Sequence, residues 1–378
     1  MVSMASVVSC STPASSPRVA LAPPEYPAGL RLILAGRHAP PDDVIEVFVC
    51  EVPLSTEDPI YGNLTQRLAL EPSTLAKQLA DNVTPYFEAI SHGAYHPEFI
   101  AGTSLRMADG DTHDECVERA VDRSGRATSV VLVVANAEHL STEPGGWGRA
   151  GTPCDSASCP ASITRRALYV GASDFHPDWG PVPAVDLIEH EIGHTLGLPH
   201  SGDPSSADQH SSAIDVMSNS ASPRDVNPDR RDGPDTIAIN RLALGWLSVD
   251  DLYVADLGGG EFTLWPSTGA RGKRLLVLPT GRDSFLTVEF LTADGFNDFL
   301  PASGVAVHLV DQTPAICAAE ALAGSCTPGE RTQTTLGGPA PHLEMLSSPG
   351  SAWLLHGWSI TVSQVGTTAQ VEVHPVNG

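Results

Sequence analysis

HEIGHTLGLPH, residues 190–200, is the most informative stretch of this 378-residue chain. In a helix, side chains four residues apart lie one turn apart on the same face, so His190 and His194 can direct their imidazoles at one point. Such nitrogens match the coordination that zinc prefers in proteins. Glu191 lies near the same face but is displaced along the helix axis, where it could contact a metal-bound water rather than the metal. The pattern therefore predicts a metal site on a helix.

A third ligand must come from outside this helix, because a helix cannot curl back onto the same metal. Gly197 can adopt a left-handed conformation that turns the chain sharply at the helix end. His200 then approaches the metal from a different direction. Three neutral imidazoles leave the fourth position for water, which is typical of a catalytic zinc site rather than a structural one. The alternative is a helix that carries two histidines by chance, and the spacing of Gly197 and His200 argues against it.

The sequence before this helix alternates between strand and helix patterns. Runs rich in β-branched residues predict strands, and apolar residues at spacings of three and four predict helices. The predicted strands are 44–50, 98–105, 129–135 and 166–172, and the predicted helices are 73–94, 111–123 and 183–196. The glycine-rich segment 145–151 is predicted to be a loop or an irregular edge strand. This order indicates helices packed on a mostly parallel sheet.

The character of the chain changes after a further predicted helix at 236–244. Short β-rich runs then follow one another, separated by turn residues, which is typical of an all-β sandwich. We therefore expect an α+β protein with three parts. These are a disordered lead-in over residues 1–40, a metal-binding α/β domain over residues 41–247 and a C-terminal β-sandwich domain over residues 248–378.

Residues 190–200 match the extended zinc signature of the metzincin clan of metallopeptidases, H-E-x-x-H-x-x-G-x-x-H, and the chain resembles that clan. IDVMS, residues 214–218, looks like the Met-turn of these enzymes, which implies that Met217 forms a hydrophobic floor under the zinc. LALGWL, residues 242–247, and the β-rich tail are similar to gametolysin-like and immune-inhibitor-A-like proteases. The resemblance implies a metzincin-like catalytic domain with a twisted sheet and an active-site helix. It also implies an edge strand that binds extended substrate, for which 145–151 is our candidate.

The resemblance implies an activity as well. It places one catalytic Zn²⁺ on His190, His194 and His200. The expected reaction is hydrolysis of peptide bonds in a protein or peptide substrate, by attack of a zinc-bound water that Glu191 activates. Gly197 and Met217 would support the site. Asn219 stands where some members of the clan have a tyrosine that assists the transition state, so no such tyrosine is carried over.

Two other functions stay open at this point. A non-catalytic binding or adhesion protein could keep the metal site for stability, although zinc binding alone does not require Glu191. A zinc hydrolase could act on a non-peptide amide or ester, although the extended signature disfavours this. A panel of substrates would separate such a hydrolase from an endopeptidase.

The chain has seven cysteines, an odd number. Cys10 ends the run VVSC, which resembles a bacterial lipobox, although only nine residues precede it and none is basic. In that interpretation residues 1–40 contain a truncated lipoprotein signal and tether, and a lipid on Cys10 anchors the protein to a membrane. Proximity favours one pairing of the other six, namely Cys154–Cys159, Cys317–Cys326 and Cys50–Cys116. Disulfides indicate an oxidising compartment, so we expect a secreted or envelope-anchored protein, with free buried thiols as the alternative.

The formal net charge is −24, from 21 basic and 45 acidic residues. Such a surface repels phosphate backbones and anionic membranes, so nucleic-acid binding is not expected. Six aspartates cluster around the Met217 segment, and Ca²⁺ binding by them is an alternative to ordinary solvated loop charges. They are Asp203, Asp208, Asp225, Asp229, Asp232 and Asp235. His210 is a second candidate for the third zinc ligand, but it lacks the offset from Gly197 that His200 has.

Overall fold

The computed structural model describes nine segments of the chain. They are residues 26–36, 39–53, 67–137, 146–151, 164–202, 210–256, 258–312, 332–336 and 344–376. The proposed pairs Cys154–Cys159 and Cys317–Cys326, together with Cys10, lie outside these segments. Within them the fold is a mixture of helices and three β-sheets, as an α+β protein requires.

The first sheet has five strands in the order β2-β1-β3-β5-β4. The strands are β1 (Asp42–Glu51), β2 (His96–Arg106), β3 (Val130–Ala135), β4 (Gly146–Arg149) and β5 (Arg166–Val170). Strands β2, β1, β3 and β5 are mutually parallel, and β4 pairs with β5 in the antiparallel sense. All six residues of β3 are buried, which explains its unbroken run of apolar residues. The predicted mostly parallel sheet is therefore confirmed, and the glycine-rich segment forms its edge strand.

Six helices accompany the described strands. They are α1 (Ala28–Ala35), α2 (Pro72–Ile90), α3 (His113–Arg123), α4 (Asp186–Thr195), α5 (Ser222–Val226) and α6 (Ala238–Leu244). Apolar side chains of α2 and α4 share one hydrophobic cluster with one face of the first sheet, and α3 covers the other face. A disulfide between Cys50 of β1 and Cys116 of α3 ties that second face together, as the cysteine pairing predicted.

The C-terminal part of the chain forms the other two sheets. One contains β6 (Leu252–Val254), β8 (Leu275–Pro279), β9 (Ser284–Leu291), β10 (Gly304–Asp311), β11 (Thr332–Leu336) and β12 (Met345–Leu346). The other contains β7 (Gly260–Leu264), β13 (Ala352–Leu355), β14 (Trp358–Val365) and β15 (Ala369–Pro375). Inward side chains of both sheets, such as Phe290 and Ile360, belong to one buried cluster. The β-rich character predicted after Trp246 is therefore present.

Helix α1 lies within residues 1–40, which the sequence led us to expect as a disordered lead-in. That expectation is wrong for Ala28–Ala35. The helix buries Leu30, Ile33 and Leu34 in a cluster with residues of α6, β8, β9 and β10. The amide of Ala28 also donates to the carbonyl of Arg282, at 2.9 Å. The helix is thus stabilised by partners more than 200 residues away, which a local reading of the sequence does not reveal.

Buried polar contacts join the α/β part to the C-terminal sheets. Glu289 of β9 accepts hydrogen bonds from the amide of Ala238, the first residue of α6. Glu344 accepts from Ser212 and from the amide of Ala213, both close to the Met217 segment. The C-terminal sheets therefore hold the loops that flank the predicted metal site. None of the described helices is long and apolar enough to cross a membrane.

Candidate active site

Helix α4 brings the first two predicted ligands together. The Nε2 atoms of His190 and His194 lie 3.0 Å apart. The Nδ1 atom of His190 lies 2.6 Å from the carbonyl oxygen of Val216, and that of His194 lies 2.8 Å from the carbonyl oxygen of Leu198. A carbonyl only accepts, so in each ring Nδ1 carries the proton and donates, which leaves the Nε2 lone pair free to bind a metal.

The end of α4 positions the third predicted ligand. Gly197 has a positive φ of 88°, the left-handed conformation that favours glycine. The amide of Gly197 donates to the carbonyl of His194, and the amide of Leu198 donates to that of Gly193, which is the Schellman pattern of helix termination. The reversed chain then places Nε2 of His200 3.0 Å from Nε2 of His194.

The three imidazoles form a donor set that fits a metal ion. Their nitrogens make the one cluster of three or more metal-ligand groups in the described part of the chain. In a tetrahedral zinc site with Zn–N bonds of about 2.0–2.1 Å, ligand nitrogens lie about 3.3–3.4 Å apart. The observed 3.0 Å separations are within a few tenths of an ångström of that value. The facing Nε2 lone pairs of His190 and His194 repel each other at this distance, whereas a divalent cation between them would attract both.

Burial keeps His190 and His194 in the neutral form that binds metals. It lowers the pKa of His190 well below its ordinary value, and the neighbouring His194 and His200 lower it further. Burial likewise lowers the pKa of His194 to about 4. Both rings are therefore neutral at pH 7, and metal binding there does not have to displace a proton from either Nε2.

The predicted Met-turn lies directly beneath α4. Met217 is fully buried, and a Cβ atom on Gly193 would lie only 2.2 Å from its sulfur. Only glycine at position 193 lets the helix approach this side chain so closely. The amide of Ser201 donates to the carbonyl of Met217, at 3.2 Å, which fixes the segment that follows His200. Buried Asp215 accepts from Thr236 and Asn240 and holds the other side of the turn.

Glu191 is a buried carboxyl group beside the imidazoles. Only 4% of its surface is exposed, and its Oε2 atom has no hydrogen-bond partner among the described residues. Burial raises the pKa of Glu191 to about 8, and the carboxylate of Asp174 raises it as well. A cation on the three histidines would oppose this shift by stabilising the charged carboxylate. The pKa of Glu191 is therefore close to neutral pH, which suits a group that both accepts and donates a proton.

The edge strand β4 passes over the same stretch of α4. A Cβ atom on Gly148 would lie 2.2 Å from the carbonyl oxygen of Glu191 and 3.0 Å from Cβ of His194. The backbone of β4 can therefore contact the helix only because this residue is glycine. β4 is the last strand in the order of its sheet, so within the described chain its other edge pairs with no strand. An extended peptide could add to that edge, above the histidines.

His210 lies beside the cluster, which the sequence spacing did not predict. Its ring centroid is 4.7 Å from that of His200 and 5.6 Å from that of His190. Its Nδ1 atom lies 3.1 Å from the carbonyl oxygen of Ser218. His210 is nevertheless outside the group of three nitrogens that could share one ion. No local motif marks it, because its position next to His190 and His200 depends on tertiary packing.

The aspartates considered for Ca²⁺ are dispersed. Asp203 and Asp208 lie outside the described residues. Asp232 pairs with Arg230, and Asp235 pairs with the buried Arg241. Asp225 accepts from Asn219. Among the described residues these carboxylates do not form a group that could hold one metal ion.

Comparison with known proteins adds little to this geometry. Neither a protein-family model nor a curated protein sequence matches the chain. One similar solved structure is metalloproteinase-II from Bacteroides fragilis, with 13% identity, a TM-score of 0.32 and 56% of this chain covered. Another is a chaperone–substrate complex, with 14% identity, a TM-score of 0.28 and 54% of this chain covered. This chain spans 55% of the first protein and 34% of the second.

Proposed function

We propose that this protein is a zinc-dependent endopeptidase of the metzincin type. The observation that carries the proposal is the convergence of three imidazole nitrogens next to the buried carboxyl of Glu191, under the free edge of β4. His190, His194 and His200 would hold the metal, with Gly197 and Met217 as structural support. A zinc ion bound there would act as a Lewis acid and lower the pKa of a water molecule.

Glu191 has the central role among the protein groups. Its unpartnered Oε2 atom accepts the proton that the attacking water loses, and it returns that proton to the amine that leaves. Such proton transfer contributes about 10²–10⁴ in rate for a well-placed group. The edge of β4 would align the substrate backbone by main-chain hydrogen bonds and so hold the scissile carbonyl over the site.

The proposal includes a metzincin-like catalytic domain followed by a β-sandwich domain. Residues 41–247 form the catalytic domain, with the twisted sheet above α4 and the Met217 segment below it. Residues 248–378 form a β-sandwich, which contacts Ser212 through Glu344 and the first residue of α6 through Glu289. The disulfide between Cys50 and Cys116 supports an extracytoplasmic location. Secretion, or anchoring to the outer cell envelope through a lipid on Cys10, is part of the proposal.

The alternative is a non-catalytic binding protein that keeps the metal site for stability. A structural zinc site needs four protein ligands, whereas this cluster offers three. A buried carboxyl with an unpartnered oxygen also costs stability, about 1–3 kcal/mol for a lost hydrogen bond, without helping to bind the metal. Both features favour catalysis.

Metal analysis combined with casein cleavage tests the proposal. We expect about one zinc per chain, cleavage that a chelator abolishes and added zinc restores, and loss of both zinc and cleavage in the His194→Ala variant. The exposed His374 provides the matched control, since His374→Ala should change neither property. Folded protein without zinc would contradict the proposal. Zinc without cleavage of casein or of a peptide panel would favour the binding protein.

A further inference from the structure

Arg149, at the end of β4, has an unusual environment. Its Nε and Nη2 atoms are shielded from solvent, and neither has a hydrogen-bond partner among the described residues. The same is true of Nε1 of Trp147, two residues earlier. Buried polar groups in proteins are nearly always hydrogen-bonded, and each exception lowers the stability of the folded protein. Three unmatched donors on adjacent side chains therefore point to a missing acceptor.

The two side chains form one surface. Residues two apart on a strand point to the same face, and the guanidinium carbon of Arg149 lies 4.9 Å from the centroid of the Trp147 ring. Stacking on the indole holds the guanidinium plane in a fixed orientation. Asp114 and Glu118 of α3 are the nearest acidic groups, but neither is hydrogen-bonded to Arg149, and Asp114 is largely exposed. Arg149 thus keeps its hydrogen-bonding capacity for another group.

The unmatched atoms define the chemistry of that group. Nε and Nη2 are the two donors on one edge of the planar guanidinium, and they match both oxygens of a carboxylate. Indole Nε1 is also a donor only. An amide or hydroxyl could satisfy one of these atoms, whereas a carboxylate satisfies the pair and neutralises the charge.

We call the donors of Arg149 and Trp147 together the fork. The position of β4 places this fork close to the proposed active site. Gly148, between the two side chains, faces Glu191 and His194 on the opposite side of the strand. A peptide added to the free edge of β4 would present alternate side chains to the two faces. Those on the Trp147 and Arg149 face would reach the fork, within about two residues of the scissile bond, since a strand rises only about 3.3 Å per residue.

We propose that Arg149 and Trp147 form a specificity site for an acidic side chain, Asp or Glu, of the bound peptide. This inference rests on the proposed function and names the substrate class of the same site. The otherwise strongly acidic protein would carry a local cationic fork beside the proposed active site, and it would prefer substrates with a carboxylate close to the cleaved bond.

Peptide binding tests the inference independently of cleavage. The probes are fluorescein-labelled decapeptides with blocked ends, in pairs that differ only by Glu or Gln at one position. They are titrated into zinc-loaded Glu191→Gln protein, and cleavage of the same pairs is measured with the wild type. For one position of the substitution, we expect the Glu peptide to bind at least tenfold more tightly than the Gln peptide. A tenfold ratio is the lower end of the range for a charge-assisted hydrogen bond. The ratio should fall to within about twofold in Arg149→Gln and lie between these values in Arg149→Lys.

Arg271 gives the matched control, because its exposed guanidinium stacks on Trp265 at 5.1 Å, far along the chain in the C-terminal part. Arg271→Gln should leave the ratio unchanged. Equal binding of every Glu and Gln pair would overturn the inference. So would a preference that survives Arg149→Gln, a preference only for a free C-terminal carboxylate, or a loss of thermal stability in Arg149→Gln without change in preference. Binding discrimination without any cleavage would support the fork while contradicting the endopeptidase.

Discussion

The imidazoles of His190 and His194 are oriented by carbonyl groups of segments that follow α4 in the chain. Val216 and Leu198 accept the Nδ1 protons, so the direction of each Nε2 lone pair is fixed by backbone rather than by flexible side chains. The sequence predicts which histidines converge, because the spacing of four and the turn at Gly197 are local properties. It does not predict the accepting carbonyls, since the contact from His190 to Val216 depends on tertiary packing.

Gly197 provides a residue-scale prediction. Alanine there must adopt a φ of 88°, which costs about 1–2 kcal/mol for an L residue. The strain would also disturb the turn that delivers His200, so we expect the Gly197→Ala variant to bind zinc at least tenfold more weakly. Gly110→Ala is the control, because Gly110 has a φ of 86° and open space around it, away from the site. Similar losses of thermal stability with equal zinc affinities in both variants would contradict this role of Gly197.

At the scale of elements, patterned segments were predictable and weakly patterned ones were not. The strand predicted at 129–135 corresponds to β3, and the helix predicted at 183–196 corresponds to α4. Both carry long apolar patterns that tertiary contacts reinforce. The glycines of 145–151 left loop and edge strand undecided, and the approach of Gly148 to α4 explains why an edge strand there needs glycine. Helix α1 was missed because eight residues give little periodicity and its partners are remote in sequence.

The disulfide supplies an element-scale prediction. Cys50 and Cys116 join β1 to α3 across a sequence separation of 66 residues. In the loop-entropy model, closing a loop of this length lowers the conformational entropy of the unfolded chain. This stabilises the folded protein by about 4 kcal/mol. We expect a marked fall in the unfolding midpoint in denaturant for the Cys50→Ala/Cys116→Ala double variant. Addition of a reductant to the wild type should cause a fall of at least this size, and the fall that it causes in the variant should be smaller. An unchanged midpoint in both experiments would contradict a stabilising disulfide.

At the scale of the whole molecule, buried polar and ionisable groups join the C-terminal sheets to the α/β part. Glu289 lies on β9, close to His308 of β10 and to Arg241 of α6, and it accepts from the amide of Ala238. The sequence indicated two parts with different character but not this polar layer, because such pairs are visible only after both parts have folded. The layer positions α6, whose residue Asn240 contacts Asp215 beside the Met217 segment.

Glu289 makes the stability of this arrangement depend on pH. Burial raises its pKa from the ordinary value of 4.5 to about 7, although Ser267, Arg241 and Ala238 oppose the shift. Between pH 4.5 and about 7, Glu289 therefore keeps a proton in the folded protein that it has released in the unfolded chain. The contribution of Glu289 to the free energy of unfolding is complete below pH 4.5 and is lost as the pH rises to about 7. At 1.36 kcal/mol per pKa unit the loss is at most about 3 kcal/mol. Burial lowers the pKa of His308 to about 3, so this neighbour stays neutral throughout.

The Glu289→Gln variant tests this dependence. Glutamine imitates the protonated carboxyl, so the free energy of unfolding should fall less between pH 4.5 and 7 in the variant than in the wild type. Denaturant unfolding at a series of pH values provides the measurement. Glu261→Gln, at an exposed position of β7, should retain the wild-type slope. Equal slopes for all three proteins would show that Glu289 does not titrate in this range.

The most direct test of the central claim is the rate of casein cleavage by the Glu191→Gln variant, measured together with its zinc content. The account predicts about one zinc per chain, as in the wild type, and a rate lower by about 10²–10⁴, because the ligands remain while the group that moves the proton is lost. A zinc-loaded variant that cleaves at the wild-type rate would contradict the account.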